Sequence, residues 1–285
     1  MNTVDLAGIV LRATLILVGA LALATLLRRH AGSTRHALWT VTTLLLLALP
    51  LLQGRFAVLP SEWSWLTNPR EMESAVIVPA HAGATGDASL IEAATQVNDA
   101  LVPLTGAVSS SPGRNAAHLL GGAWLLGLMG FLAPVLLGVV RARRLIRDAV
   151  PVDDARLLAR FAAVRREVGV RREVHLAMAP NIRTPMTGGI VASVVLLPAD
   201  AATWSDECVT TVFRHELVHV RRADAIRQLA SRLSVALYWF HPLAWRAARH
   251  ASLAREQACD EAVLRLGARP SQYARHLLHF ADAGG

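Results

Sequence analysis

The sequence predicts a polytopic α-helical membrane protein that also contains a smaller α+β domain. Hydrophobic residues make up 53% of the 285-residue chain and its mean hydropathy is +0.39, so it is more apolar than an ordinary soluble domain. Three long segments carry almost no charge, and the C-terminal half combines helical patterns with short β-branched runs. These three observations lead to the predicted fold class.

Each of the three apolar segments is long enough to cross a hydrocarbon core. Residues 6–27 contain a single charge, at Arg12, whereas residues 37–54 and 115–140 contain none. A cleaved signal peptide is the competing interpretation of the first segment, but its apolar run is long and no small-residue cleavage site follows it. We therefore predict two transmembrane helices within residues 1–54 and a third over residues 115–140.

The arginines predict the orientation of these helices. The loop RRHAGSTRH (28–36) has three arginines and no acid, and the third span continues into RARRLIR (141–147). The positive-inside rule places both in the cytoplasm and the N-terminus outside. Residues 55–114 are then an extracytoplasmic loop, for which no function is predicted, and residues 141–285 a cytoplasmic domain.

The charge and the cysteines exclude two other classes of protein. Arginine supplies all 29 basic side chains and the net charge is +8, but no groove-reading motif accompanies the arginines, so direct nucleic-acid binding is not expected. Cys208 and Cys259 are too few for a disulfide framework and are predicted to be reduced thiols.

Periodicity and capping residues predict the elements of the C-terminal domain. An amphipathic helix follows Asp153 or Asp154 and ends near Gly169. EVHLAMA (173–179) and GGIVASVVLLP (188–198) are rich in β-branched residues and bounded by Pro and Gly, which indicates strands.

A metal-binding pattern follows in FRHELVHVRRAD (213–224), on a helix for which Ser205 is the predicted N-cap. His215 and His219, four residues apart, lie on one helical face and can bind the same zinc ion. Glu216 beside them is placed to take a proton from a zinc-activated water, as in zincin proteases. The competing interpretation is a solvated polar face with coincidental spacing.

A third ligand is predicted on a later helix, which begins at Pro242. Glu256 lies 37 residues after His219, a separation that lets one helix run out and another return beside it. Asp260, one turn further, is placed to accept a hydrogen bond from a ligating histidine. The intervening segment Asp224–Phe240 is apolar but contains two arginines, so it predicts a buried or membrane-surface helix rather than a fourth span.

These residues resemble the metallopeptidase domain of BlaR- and MecR-type antirepressor signal transducers, which are bacterial inner-membrane gluzincins. The resemblance rests on HELVHVRRAD, YWFHPLAW and REQACDEAVL, preceded by TPMTGGIVASVVLLP, and covers residues 141–266. It implies a zincin-like (gluzincin) fold, one Zn²⁺ per chain and a multi-pass protein in the bacterial inner membrane. It also implies proteolysis of a transcriptional repressor, of the protein itself, or of both; oligomeric state is not predicted.

Carried over position by position, the resemblance implies zinc ligation by His215, His219 and Glu256. It implies that Glu216 is the general base and that Asp260 is the family's acid one turn after the ligand. Asp224, together with the two arginines before it, matches the family's pattern after the motif, and for it we predict a structural salt bridge.

The resemblance also implies a substrate-binding edge strand and two further catalytic candidates. The strand 189–197 would pair with an extended peptide through its backbone, and the residues assigned to this role are Gly189, Ile190, Val191, Ala192 and Ser193. His241 and Tyr238 are candidate donors to the tetrahedral oxyanion. For His241, a structural role beside a helix-starting proline at the membrane surface is the competing interpretation.

Two alternative functions remain open. One is a quality-control membrane protease of the HtpX type, which shares HExxH and a later Glu-x-x-x-Asp. The other is a non-proteolytic signalling scaffold in which zinc joins helices and His241 or Cys259 provides a fourth ligand. Family members that sense β-lactams carry a fourth span and a penicillin-binding sensor domain, whereas the sequence reads HFADAGG at 279–285, so β-lactam sensing is not predicted.

Overall fold

The structure is a computed structural model that describes residues 3–52, 112–190 and 192–275. Side chains are described from residue 8 onward in the first range and from residue 119 onward in the second. The chain divides into two compact units. Nearly all described residues belong to the unit formed by Ile9–Leu52 and Leu125–Gly285, and the contacts given below lie within it.

Three helices in the described ranges are long and apolar enough to cross a membrane: α1 (Thr3–Leu26), α2 (Gly32–Leu52) and α3 (Pro112–Arg147). The three predicted apolar segments are confirmed as candidate spans. The third helix is longer than the predicted 115–140, because RARRLIR continues it without a break to Arg147. The predicted extracytoplasmic loop 55–114 falls almost entirely outside the described residues.

A four-stranded sheet lies in the C-terminal part of the chain. Its strands are β1 (Val150–Pro151), β2 (Val174–Met178), β3 (Met186–Gly188) and β4 (Ser193–Leu197), in the order β1-β2-β4-β3. Strand β4 pairs parallel with β2 and antiparallel with β3, and it is buried along its length. Strand β3 therefore forms one edge of the sheet.

The predicted strand over 188–198 is wrong in its extent and in its position. Only Ser193–Leu197 is a strand, and it is interior. Gly189, at φ 85°, begins a turn so tight that a Cβ there would overlap the carbonyl oxygen of Ala192. The turn folds β3 back on β4, with Gly188 opposite Val194. The edge that the sequence assigned to 189–193 is formed by Met186–Gly188 instead.

Helix α4 (Ala155–Val168) contributes to the domain core and confirms the predicted caps. Asp154 is its N-cap, since the carboxylate accepts hydrogen bonds from two backbone N–H groups of the first turn. Gly169 ends it in the left-handed conformation, at φ 77°. Its apolar face contributes Leu157, Phe161 and other side chains to the domain core.

Three further helices complete the domain: α5 (Asp206–Arg222), α6 (Asp224–Leu237) and α7 (Pro242–Arg265). The predicted N-cap of α5 is confirmed, because Ser205 Oγ accepts from the N–H of Cys208 at 3.3 Å. A single residue, Ala223, separates α5 from α6 and has a positive φ of 55°. Residues 270–275 are also helical.

Helices α6 and α7 pack against the first two candidate spans. At the turn between them, the Tyr238 hydroxyl donates to the carbonyl oxygen of Leu46 at 3.0 Å. At the other end of α7, Glu261 accepts from the N–H of Gly32 with both carboxylate oxygens, at 2.8 and 2.9 Å. A Cβ at Gly32 would lie 2.9 Å from the backbone nitrogen of Ala258, so the close contact of α2 with α7 requires glycine.

Candidate metal centre

Helix α5 holds the two histidines of the HExxH motif on one face. Its opposite side is anchored in the core by side chains that are at most 1% exposed: Phe213, Leu217, Val218 and Val220. This burial fixes the rotation of the helix, so that His215 and His219 project from it together. Their ring centroids are 4.8 Å apart.

Helix α7 brings Glu256 to the two imidazoles. Nε2 of His215 and Nε2 of His219 are 3.1 Å apart, and Glu256 Oε2 lies 3.9 Å from the first and 3.5 Å from the second. The spacing of these three residues in the sequence thus becomes a triangle of donor atoms. No other group of described residues presents two imidazoles and a carboxylate in this way.

The triangle fits a zinc ion. Ligands at about 2.0–2.1 Å in tetrahedral geometry are roughly 3.3–3.4 Å from one another, and the three observed separations, 3.1, 3.5 and 3.9 Å, bracket this distance. Each imidazole also has a hydrogen-bond partner at Nδ1, described next, so Nε2 is the nitrogen of each ring that is left to ligate a cation.

Asp224 orients His219. Its Oδ2 lies 2.8 Å from His219 Nδ1, and the carboxylate is only 4% exposed. Burial disfavours the charged imidazole, but the hydrogen bonds to Asp224, Cys259 and Glu256 together outweigh it and hold the pKa of His219 well above its usual value.

The predicted salt bridge is present for one of the two arginines, since Asp224 lies 3.6 Å from Arg222, whereas Arg221 donates to the carbonyl oxygen of Val168. Arg227 also lies 3.5 Å from Asp224.

Tyr273 orients His215. Its hydroxyl donates to Asp260 Oδ1 at 2.6 Å and lies 2.9 Å from His215 Nδ1, so the phenol oxygen is left to accept from that nitrogen. Asp260 itself is 3.6 Å from His215 Nδ1. The carboxylate therefore reaches the histidine through the tyrosine, rather than by the direct bond that the sequence predicts.

Glu256 is held in its ionised form by its neighbours. Arg255 donates two hydrogen bonds to Glu256 Oε1, at 3.0 and 2.9 Å, which leaves Oε2 directed at the imidazoles. Burial opposes ionisation, but His219 and Arg255 together lower the pKa of the Glu256 carboxyl to about 2. A charged carboxylate is the form that ligates a divalent cation.

Glu216 is positioned by the edge strand of the sheet. It is 7% exposed, and its Oε2 accepts from the hydroxyl of Thr187 on β3 at 2.7 Å. The same hydroxyl lies 3.1 Å from the Glu216 carbonyl oxygen. The strand and the HExxH helix are thus joined at the proposed general base.

Cys259 lies on the outer side of His219. Its Sγ is 3.2 Å from Nδ1 of His219 and 3.6 Å from Asp224 Oδ2, and the side chain is fully buried. Because Nδ1 is the ring nitrogen opposite Nε2, the thiol does not join the triangle formed with Glu256.

The structure does not bring Tyr238 or His241 to the triangle. The Tyr238 hydroxyl is bonded to the backbone of α2, and His241 Nε2 lies 2.9 Å from Thr14 Oγ1 on α1. His241 precedes the first residue of α7 and Glu256 lies fifteen residues further, so about 22 Å of helix separates them. An oxyanion role for either residue is inconsistent with this placement.

Sequence reasoning missed two residues at the site. Thr187 was within the quoted TPMTGG stretch, but nothing in a single sequence pairs a strand threonine with a helix glutamate. Tyr273 follows a turn at Gly267 and lies outside the motifs from which the site was predicted. Of the residues assigned to substrate binding, Gly189, Ile190 and Ala192 lie in the turn after β3, Ser193 begins β4, and Val191 is outside the described residues.

Comparison with known proteins decides the family. The family model described as BlaR1 peptidase M56 matches residues 4–284 of this chain. The chain belongs to this peptidase family. The resemblance to BlaR- and MecR-type antirepressor signal transducers is therefore confirmed at the level of the family.

The chain is similar to two named proteins over part of its length. The regulatory protein BlaR1 of Bacillus licheniformis is 30% identical over 142 residues, which is 50% of this chain and 24% of BlaR1. The methicillin resistance protein mecR1 of Staphylococcus aureus is 27% identical over 97 residues, 34% of this chain and 17% of mecR1. The aligned segments thus span a quarter or less of each relative.

Proposed function

We propose that this chain is a membrane-anchored zinc endopeptidase of signal transduction, with a gluzincin active site formed by His215, His219, Glu256 and Glu216. The observation that carries the proposal is the convergence of two Nε2 atoms and one carboxylate oxygen within 3.9 Å. Membership of a peptidase family supports the hydrolytic role. Zinc at this triangle would supply a Lewis acid and lower the pKa of water toward neutrality.

In this mechanism Glu216 takes a proton from the attacking water and delivers it to the leaving amine. Thr187 binds one oxygen of the carboxylate, at 2.7 Å, and so leaves the other for the proton. Tyr273 and Asp224 hold the imidazoles by their Nδ1 atoms, which keeps each Nε2 directed at the metal site.

Strand β3 is the proposed docking edge for an extended substrate. In the described sheet its inner side pairs with β4, so the backbone groups of Met186–Gly188 on the other side are available for pairing. Thr187 on the same strand contacts Glu216, so a peptide paired with β3 would lie beside the general base. This proposal replaces the predicted docking of substrate on 189–193.

The proposed substrate is a cytoplasmic protein, either a transcriptional repressor or the chain itself. Two relatives are named as a regulator and a resistance protein, which favours a regulatory protease over the HtpX-type alternative. The arginines of 28–36 and 141–147 favour the cytoplasmic face for the protease domain.

Among the described residues, neither candidate for the fourth ligand of the zinc-joined scaffold lies at the triangle. Its two candidates were Cys259, which lies on the Nδ1 side of His219, and His241, which lies about 22 Å along α7 from Glu256. Three protein ligands with an open position are typical of catalytic rather than structural zinc.

The test uses the full chain purified in detergent and compares three variants with the unaltered protein. Zinc is counted by mass spectrometry of the metal, and cleavage is followed with quenched fluorescent peptides. Glu216→Gln should retain one zinc per chain and lose cleavage by at least about a thousandfold, whereas His215→Ala should lose both.

Glu207→Gln is the matched control, because Glu207 lies on the same helix, is exposed, and is remote from the triangle. It should change neither zinc content nor rate. Undiminished cleavage by Glu216→Gln, or a zinc-loaded protein that cleaves no peptide and no co-expressed candidate repressor, would contradict the proposal.

A further inference from the structure

A groove lies between the candidate spans and the helices of the protease domain. It has a volume of about 820 Å³ and is lined by residues of α2, α3, α6 and α7. On α2 its lining extends from His36 to Leu44, eight residues or about 12 Å along the helix. The groove therefore runs beside a membrane-spanning helix for nearly half of a hydrocarbon core.

The charged part of the groove wall is entirely basic. None of its lining residues is acidic, and four of them are arginines: Arg227, Arg232, Arg249 and Arg255. Two of them are engaged elsewhere, since Arg227 lies 3.5 Å from Asp224 and Arg255 binds Glu256.

The other two arginines have no ion pair among the described residues. Arg232 lies against the third span, because a Cβ at Gly138 would be 3.6 Å from its guanidinium. Arg249 is next to His250, whose ring stacks on Trp39 of α2 at 5.5 Å. Arg232 and Arg249 are both exposed, so their guanidinium groups are open to an anionic ligand beside the candidate spans.

The remaining wall is apolar, with Leu44, Val135, Val235 and two tryptophans, Trp39 and Trp245. A ligand that satisfies both parts needs an anionic group for the arginines and a hydrocarbon portion for the walls. Guanidinium groups bind phosphate oxygens in pairs, and basic pockets between transmembrane helices suit anionic headgroups.

We propose that this groove binds one anionic phospholipid, with the headgroup phosphate on Arg232 and Arg249 and an acyl chain along Leu44 and Val135. The groove adjoins the metal triangle through Arg255, which binds Glu256, but the two arginines assigned to the phosphate do not contact the triangle residues in the described contacts. The proposal does not depend on the proteolytic proposal. A lipid bound there would contact two spans and both helices that follow the HExxH motif.

The experiment measures lipid retention by native mass spectrometry, with the full chain in a zwitterionic detergent. Dioleoyl phosphatidylglycerol and dioleoyl phosphatidylcholine are offered in turn. We expect retention of the anionic lipid in preference to the zwitterionic one, and a fall of at least about tenfold in that retention for the double variant Arg232→Gln/Arg249→Gln.

Arg246→Gln is the control, because Arg246 is an exposed arginine of the same helix that does not line the groove. It should retain the anionic lipid as the unaltered chain does. Equal retention of both lipids, or an equal loss in Arg246→Gln, would overturn the proposal.

Competition distinguishes the source of the anion. Displacement of the lipid by inorganic phosphate or by an acidic peptide at equal concentration would assign the groove to a soluble anion or a protein and overturn the proposal. Failure of both to displace it would support a lipid. The comparison of two lipids on the unaltered chain stays decisive if the double variant does not fold.

Discussion

The two ends of helix α7 have different surroundings although one continuous helix forms both. The C-terminal half carries Glu256 into a polar cluster with two imidazoles, where the donor atoms lie within 3.9 Å of one another. The N-terminal end follows Tyr238 and His241, which bond to the first two spans. Two motifs that follow each other in the sequence thus lie at opposite ends of one helix. One is at the candidate metal centre and the other is against the candidate spans.

The largest expected effect is the difference between substitutions at the two ends of α7. Glu256→Ala should lower zinc affinity and peptide cleavage by at least about a thousandfold, because it removes one of three protein ligands. His241→Ala, at the other end of the helix, should keep zinc and cleavage within about twofold of the unaltered chain. Loss of turnover in His241→Ala with zinc and folding intact would restore the oxyanion role and break the comparison.

The two tyrosines of the chain allow the same substitution at each end. Tyr273→Phe removes the hydroxyl that links Asp260 to His215, so zinc affinity should fall by about 10-fold to 100-fold. A competitive zinc chelator measures it. Unchanged affinity would show that Asp260, at 3.6 Å, supports the histidine without the tyrosine.

Tyr238→Phe is expected to have the smallest effect, on stability alone. The phenol loses its hydrogen bond to the Leu46 carbonyl, which should lower the free energy of unfolding by about 1 kcal/mol. Zinc affinity should not change. Thermal unfolding in detergent, with zinc removed, measures the contribution of this hydrogen bond to stability. A change in zinc affinity would contradict the conclusion that the Tyr238 end of α7 is independent of the metal site.

Much of the site was predictable because helices have a fixed period. The spacing of four residues puts His215 and His219 on one face, and the 37 residues after His219 let a later helix bring Glu256 beside them. Capping chemistry located the start of the helix at Ser205, and three apolar runs with at most one charge each located the spans. These are local rules, which a single sequence carries.

The predictions that were wrong or incomplete concern contacts between secondary-structure elements. A continuous β-branched run hid the turn at Gly189, so β3 and β4 were merged and the edge was misplaced. Tyr273 approaches His215 only after the chain turns at Gly267. The distance of His241 from Glu256 was already contained in the predicted helix starting at Pro242, since each residue advances the helix by about 1.5 Å.

The attachment of Glu261 to the first N–H of α2 has a mechanical consequence. Glu261 is five residues beyond Glu256 on the same helix. Both of its carboxylate oxygens accept from the N–H of Gly32, the first residue of the second span, at 2.8 and 2.9 Å. Along this route a single side chain joins the second candidate span directly to the ligand-bearing helix. A displacement of that span would therefore be passed to the helix that carries Glu256.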